Sequence, residues 1–338
     1  MARLRFGLLG AARIAPVALT KPARRTGDLA EVASVAARDR ARAEAFATAH
    51  GIGRVHDTYE DVLADPEVDA VYIPLPNGLH GRWTLAALAA GKHVLCEKPF
   101  TANATEAATV AEAAAAAHRA SGLVVMEAFH YRHHPLADRV AAIVAGGELG
   151  SLSRVEIAFA APLAKRGDIR YRLDLAGGAL MDMGCYAVNF LRLVLSAAGL
   201  DEPKVQAARA KRSSPGVDRA MRVDYSFGGG ATARTTCSMF SSSVLRLQAR
   251  VCGTEGELRV FNPFSPQYFH RLTVRTRTGR RVEHVTRKAT YDFQLEHFVA
   301  AVRYGGPVRT TAEDAVANMT VIDDAYRASG LGIREPSA

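Results

Sequence analysis

Residues able to do chemistry gather at three places in this 338-residue chain. The first is Cys96-Glu97-Lys98-Pro99, where the apolar run Val94-Leu95-Cys96 reads as a short buried strand. That strand delivers a carboxylate, an ammonium and a rigid proline at its C-terminal end, where ligands sit in an open parallel sheet. Lysine is scarce here, seven against thirty-six arginines. A proline after it fixes the turn, which sets Lys98 apart from an ordinary solvated surface lysine. The second place is Asp182 and Tyr186, four residues apart within the stretch 177–191, which reads as a helix opened by paired glycines. Helical spacing sets their carboxylate and phenol on one face. The third is the loop Pro74-Leu75-Pro76-Asn77-Gly78-Leu79-His80 after the apolar run 69–73. Its prolines and glycine shape it at a strand end.

The elements that must position these groups follow from the pattern of the chain. Leu4 to Gly10 is an apolar run ending in glycine, and Ala11 to Leu19 has the small residues and spacing of a helix start. Strand, tight turn and helix aim backbone N–H groups and a helix's positive end at a pyrophosphate. The dinucleotide fingerprint falls on Gly10, Ala12 and Ala15, with Arg13 and Ile14 in the same turn, although its middle glycine is replaced by Ala12. The second strand, 31–37, ends at Ala37 and Arg38, where an acidic residue would hold an adenosine 2′-hydroxyl. A missing carboxylate beside a guanidinium favours a 2′-phosphate, hence NADP over NAD. In that setting Leu75, Asn77 and His80 stand where the cofactor ribose or nicotinamide would be met. A buried His80 capping the helix 82–90 fits the same sequence equally well.

Helical patterns over 40–50, from Glu60, over 82–90 and over 102–120 alternate with strands up to 123–127. This predicts an α/β, doubly wound parallel sheet. Beyond Glu127 a helix is expected over 131–145. Strand patterns then dominate at 154–160, 205–212, 219–227, 231–240, 245–252, 257–260 and 271–278. They predict an α+β region with a largely antiparallel open sheet. Helices over 291–304 and 312–329 follow, the latter with Thr311 as N-cap and Asp314 three residues on.

Composition excludes several classes. Hydrophobic residues make up 49% and charged residues 23%, as in a soluble globular protein. No run of about 18 apolar residues suggests a membrane span, and Met1 to Phe6 leads straight into a strand without a signal peptide. Cys96, Cys185, Cys237 and Cys252 have no paired spacing, so a reduced, cytoplasmic protein without structural zinc is expected. His130, His133 and His134 lack the spaced carboxylate partner of a metal site. The net charge of +9 is spread along the chain without a basic helix or arm, against nucleic-acid binding.

Taken together, Gly10–Ala15, Pro76–His80, Cys96–Pro99, Met126-Glu127-Ala128-Phe129 with Arg132 and Pro135, and Gly177–Tyr186 resemble the Gfo/Idh/MocA oxidoreductases nearly end to end. Tyr186 and Ala12 lean toward the branch of dimeric dihydrodiol dehydrogenase, xylose dehydrogenase and glucose–fructose oxidoreductase. The resemblance implies a Rossmann domain over 1–128 and a substrate and oligomerisation domain over 129–310. It also implies a helix over 311–330 packing back on the first domain, and a homo-oligomer, dimer or tetramer, formed through the second sheet. It puts the family's catalytic lysine on Lys98, its aspartate on Asp182 and its tyrosine on Tyr186, with Glu97 on the cofactor ribose.

Hydride transfer between a nicotinamide and a carbinol needs a proton acceptor at the hydroxyl. Tyr186 would serve with its phenol, near 10 when unperturbed, pulled down by the Lys98 ammonium. Asp182 would anchor the substrate or position the lysine. The expected activity is an NADP-dependent dehydrogenase acting on a sugar, polyol or dihydrodiol. Around the pocket, Arg132, Lys165, Arg170, Tyr171 and Arg172 are candidates to meet the substrate, or else solvated. Two other classes fit the fold: a glycoside hydrolase using tightly bound cofactor without net turnover, and a non-catalytic NADP-binding regulator. Release of sugar from an aryl glycoside without change in cofactor absorbance would mark the first. Inert protein that still binds NADPH would mark the second.

Overall fold

Six short runs form one parallel sheet: β1 (Leu4–Leu9), β2 (Ala30–Ala36), β3 (Arg54–His56), β4 (Ala70–Ile73), β5 (His93–Cys96) and β6 (Val125–Glu127). The computed structural model describes residues 2–163, 167–240 and 245–338, and the strand order in this sheet is β3-β2-β1-β4-β5-β6. All four residues of β4 are buried, as are Val94, Leu95 and Cys96 of β5, because a parallel sheet is covered on both faces. The order reverses between β1 and β4, and the crevice at such a reversal is where nucleotides bind.

Local chemistry sets the helices around it. Asp39 caps Arg40–His50 by accepting from Arg42 N, and Gly51 ends it in the left-handed region. Thr58 and Asp61 make a capping box for Tyr59–Ala64. Asn103 caps the alanine-rich helix Ala104–Ser121.

The chain divides into two units: Met1–His133 with Thr290–Val316 and Ala338, and His134–Ala289 with Ala317–Ser337. These boundaries differ from the expected 1–128, 129–310 and 311–330. Helix Thr290–Tyr304 belongs with the parallel sheet because Phe298, fully buried, packs its ring 5.6 Å from that of Phe6. Asp292 also accepts from Arg25 Nε at 3.0 Å, and Thr310 Oγ1 donates to Glu127 O at 2.6 Å. The last helix, Ala312–Ala328, changes unit within its length. Its N-cap is Thr311, whose hydroxyl accepts from Asp314 N at 3.1 Å, as expected.

In the second unit β7 (Leu152–Ala160), β8 (Lys204–Ser214), β9 (Val217–Phe227), β10 (Ala231–Ser238), β11 (Arg246–Gly253), β12 (Gly256–Phe261), β13 (Arg271–Thr276) and β14 (Gly279–Glu283) form an eight-stranded sheet. Its order is β14-β13-β12-β11-β7-β10-β9-β8, antiparallel except for the parallel pair β7 and β10. Helix Cys185–Ala197 covers β7 and β10 on one face. The segment Leu173–Ala197 has the length and apolarity to cross a membrane, but 89% of its most apolar stretch is buried inside the protein, as in a core helix. The expected helix from residue 131 begins only at Pro135, after a 3-10 turn at His130–His133. Proline suits the first helical position, and the His134 ring accepts from Leu136 N at 3.1 Å.

Candidate active site

In the first unit the turn after β1 starts at Gly10, whose φ of +107° lies in the region that favours glycine. A Cβ there would also come 3.0 Å from Leu75 Cδ2, so the turn and the loop after β4 approach closely. Gly10 N donates to Ala36 O at 2.8 Å, joining this turn to the end of β2. Ala12 N donates back to Gly10 O, and Ala15 N to Ala12 O, before the helical turns begin at Pro16. Arg13 is exposed, and Ala12 and Ile14 are half-buried.

Ala37 is buried and Arg38 is exposed at the end of β2. Burial pushes the Tyr59 phenol up, while the charges of Arg38 and Arg42 pull it down, so both guanidinium groups act on one hydroxyl. That hydroxyl lies 3.8 Å from the position a Gly10 Cβ would take. Arg42 Nη2 donates to Ala11 O at 2.8 Å, tying the arginine pair to the first turn. The sequence reading missed Arg42 and Tyr59. The signal for Arg42 was its place four residues after Arg38, one turn into the helix that Asp39 caps.

At the end of β5 the carboxylate of Glu97 is buried. It accepts from Tyr72 OH at 2.7 Å and from Lys98 N at 3.2 Å. Lys98 is half-buried and its peptide to Pro99 is cis. His80 is fully buried, with Nδ1 2.7 Å from Pro99 O and Nε2 2.8 Å from Leu75 O. Both ring nitrogens face main-chain carbonyls inside the protein, which favours the buried, structural alternative over the expectation that the ring meets ribose or nicotinamide. His80 pins the loop after β4 to the lysine's turn instead. Burial lowers its pKa to about 4 against the pull of the two carbonyls, so the neutral ring donates to one of them. Asn77 opens the 3-10 turn Asn77–Leu79, half-buried, and its carbonyl accepts from His80 N. Arg132 is half-buried, and its carbonyl accepts from Arg309 Nη1 at 3.4 Å.

In the second unit Asp182 lies in a wide π-type turn, Leu180–Gly184, that runs into helix Cys185–Ala197. Its carboxylate is 2.8 Å from Arg170 Nε, close as an ion pair although the N–H is not aligned as a hydrogen bond. Arg170 Nη1 also reaches Asp168 at 3.1 Å, and the charge of Asp182 is the main cause raising the arginine's pKa. Tyr186 is buried, its ring 5.4 Å from Phe159 and 5.5 Å from Phe264. Tyr186 thus packs as part of an aromatic cluster, which restricts how its phenol can turn. Tyr171 is half-buried, and its hydroxyl donates to Leu163 O at 2.8 Å, holding the loop. Arg172 pairs with Asp174. Lys165 lies outside the described residues.

The three adjacent histidines have separate tasks. His130 Nδ1 lies 2.8 Å from Thr290 Oγ1, His133 Nδ1 lies 3.0 Å from His297 Nδ1, and His134 Nε2 lies 3.1 Å from Thr286 O. Among the described residues no group of three or more His, Cys, Asp or Glu is arranged to hold a metal ion.

Residues 4–125 match the GFO_IDH_MocA oxidoreductase family, NAD-binding Rossmann fold, and residues 138–259 match the GFO/IDH/MocA C-terminal domain. The chain is 40% identical over 331 residues to D-xylose 1-dehydrogenase (NADP(+)) 2 of Haloferax volcanii, covering 97% of this chain and 98% of that one. The chain belongs to the Gfo/Idh/MocA oxidoreductase family. A trans-1,2-dihydrobenzene-1,2-diol dehydrogenase of Oryctolagus cuniculus is 38% identical over 236 residues, covering 69% of this chain and 68% of that one. The solved structure of KijD10, a 3-ketoreductase from Actinomadura kijaniata in complex with NADP and TDP-benzene, superposes with a TM-score of 0.84 at 28% identity. The match covers 96% of this chain and 98% of that one. For a Gfo/Idh/MocA chain the residues at the β1–β4 reversal fit a dinucleotide. Gly10 would let the backbone approach a pyrophosphate, Ala37 would leave room at an adenosine ribose, and Arg38 and Arg42 would bring charge to a 2′-phosphate.

Proposed function

We propose that this protein is an NADP-dependent dehydrogenase or reductase moving a hydride to or from a carbinol carbon of a sugar, polyol or dihydrodiol. Lys98, Asp182 and Tyr186 form its working set. The observation that carries the reading is the fixing of Glu97-Lys98-Pro99 at the end of β5. Tyr72 and the Lys98 amide hold the carboxylate, and the buried His80 ring is wedged between Pro99 O and Leu75 O, so the lysine leaves the sheet from a packed turn. The named activities of the relatives support the class of reaction and cofactor.

The cofactor supplies the hydride acceptor or donor at its nicotinamide. The chain's residues do the rest. Tyr186 takes the substrate hydroxyl proton as hydride leaves, or returns it in reduction, and its seat between Phe159 and Phe264 limits ring motion. Lys98 brings the positive charge that favours phenolate and polarises the substrate oxygen. Asp182, paired with Arg170, is an acceptor for a second substrate hydroxyl and not a proton source. Glu97, Asn77, Leu75, Gly10, Ala12, Arg13 and Ile14 are proposed to contact the cofactor, with Ala37, Arg38 and Arg42 at its adenosine end. Arg132 and Tyr171 are proposed at the substrate side, Tyr171 through its ring.

The test is NADP-linked turnover across aldoses, polyols and trans-dihydrodiols, for wild type and Lys98→Met. A fall of about a thousandfold in the variant is expected, and wild-type-like activity would remove Lys98 from the mechanism. We also propose that a second copy of the chain covers the exposed face of the eight-stranded sheet. Family membership and the exposed pair Phe261 and Phe269, 43% and 46% accessible, support this. A monomer by analytical ultracentrifugation would refute it.

A further inference from the structure

The sequence after the last helix, Gly332 to Ser337, has no periodicity and carries one arginine. In the structure Arg334 is wholly inaccessible to solvent, as is Asp218, and the two form an ion pair of 2.7 Å. Arg334 Nε donates to Gly177 O at 2.7 Å, and Nη1 donates to Gly332 O at 3.0 Å. Its guanidinium stacks 4.0 Å from the centre of the Tyr326 ring, and Tyr326 OH donates to Asp218 Oδ1 at 3.0 Å. The other oxygen of Asp218 accepts from Leu180 N at 2.7 Å. Leu180 opens the turn that carries Asp182, and Tyr186 follows in the same helix.

A buried charge pair is costly unless its remaining donors and acceptors are satisfied, and here one bond from each partner leads to the same short segment. Gly177 O and Leu180 N, which flank Gly178 and Ala179, are held by the two members of one ion pair. Between them, Gly178 has a φ of +143°, and a Cβ there would lie 2.2 Å from Asp218 Oδ1, 2.7 Å from Tyr326 OH and 2.9 Å from Arg334 Nη2. The cluster closes down on the backbone so tightly that only glycine fits. A hydrophobic plug would stabilise such a site as well. What an ion pair adds is direction, since Asp218 points an acceptor at the helix start and Arg334 fixes Asp218.

We propose that Arg334, acting through Asp218 and Tyr326, is the positioning residue for the helix that presents Asp182 and Tyr186. This rests on the reading of those two residues as members of the working set. The C-terminal segment is then part of the active-site support. Ser337 Oγ, donating to Asp174 O at 2.6 Å, fastens the segment a second time.

The test combines Arg334→Ala, Arg334→Lys and Tyr326→Phe with two readouts. In steady-state kinetics, Arg334→Ala should lose about a hundredfold in kcat for the sugar or diol, as expected of slight misplacement of reacting groups. Its Kd for NADPH should stay near wild type. Added guanidinium should restore part of kcat. Arg334→Lys should not recover it, because an ammonium cannot serve Gly177 O and Asp218 in the same planar fork. Tyr326→Phe removes only one hydrogen bond and should cost a few-fold in kcat. In hydrogen exchange, amides from Leu180 to Tyr186 should exchange faster in Arg334→Ala, while those of Ala104–Ser121 should not change. Wild-type kcat and exchange in Arg334→Ala would overturn the proposal, as would a loss of kcat that follows the folded fraction and ignores guanidinium. If Arg334→Ala does not fold, unchanged kcat and exchange in Tyr326→Phe overturn it. Wild-type protein without NADP-linked turnover would sink the reading of the site, and the exchange data would still decide the positioning role.

Discussion

Arg170 stands between two carboxylates, with Nε 2.8 Å from Asp182 and Nη1 3.1 Å from Asp168. Asp168 is buried, and its side chain also accepts from Arg170 N at 3.1 Å, so the arginine is anchored at its backbone and at its tip. An arginine committed in this way is poorly suited to reading a phosphate. It is well suited to holding Asp182 in one orientation toward an uncharged hydroxyl.

Replacing Arg170 by leucine should therefore act on the substrate and not on the cofactor. KM for the sugar or diol should rise about tenfold or more, the scale of a lost charge-assisted contact, with the Kd for NADPH unchanged. Steady-state kinetics and a fluorescence titration of NADPH read the two separately. Wild-type KM and kcat in Arg170→Leu would show that the ion pair has no part in substrate binding.

Cofactor choice should respond to the other arginine pair. Arg38→Ala and Arg42→Ala should each weaken NADPH about tenfold while leaving NADH nearly unaffected, since only NADPH carries the 2′-phosphate. Arg42→Ala should add a small loss for both cofactors, because its Nη2 also braces Ala11 O. Equal losses for NADPH and NADH in Arg38→Ala would count against the assignment.

His80 makes a prediction about pH. Its folded pKa, about 4, lies below the ordinary value of 6.5. A depressed histidine contributes stability that is fully present above pH 6.5 and is lost as pH falls toward 4. The full shift corresponds to about 3 kcal/mol. Urea titrations from pH 7 to pH 4 should show a stability loss that His80→Gln largely abolishes. An imidazole titrating near 6.5 by NMR would contradict the buried, neutral ring.

Glu283 offers a second pH test in the other unit. Hydrogen bonds from Arg139, at 2.6 and 2.8 Å, are the main cause lowering its carboxyl to about 2, and Arg281 adds another at 2.7 Å. A depressed carboxylate contributes stability above its unfolded pKa near 4.5 and loses it as pH falls through about 2. Because the cluster is partly solvated, Glu283→Gln should cost only about 1 kcal/mol at pH 7. That difference should vanish near pH 2 in thermal melts. A constant difference across pH would exclude the ion cluster as its source.

Local chemistry made much of the first unit legible. The helix over 40–50 was found with its boundaries, and Thr311 was found as a cap, because caps and apolar periodicity are written in neighbouring residues. The three-residue strand β3 was not found, since Arg54-Val55-His56 carries too little pattern to separate it from a loop. Nor was the parallel pairing of β7 with β10, which depends on where chains meet and not on what they contain. At the proposed site, residue types and spacing single out Lys98, Asp182 and Tyr186, and the family resemblance gives them their roles. The supports were hidden because they are distant in sequence. Arg334 and Asp218 are 116 residues apart, and Arg170 looks like a loop arginine until its carboxylates are seen. His80 was legible only as two alternatives, which differ in what its nitrogens touch.

The helix Thr290–Tyr304 carries a lesson about how this protein can be cut and recombined. A fragment ending near residue 133 would contain every strand of the parallel sheet and the loops after β1 and β4, yet it would leave Phe6 without Phe298 and Arg25 without Asp292. The nucleotide-binding half is a structural unit but not a contiguous stretch of gene. Exchange between relatives would have to carry 1–133 and 290–316 together, or join them by circular permutation. Natural shuffling at a single crossover would split the core, so this half and the intervening sheet are bound to travel as one inheritance.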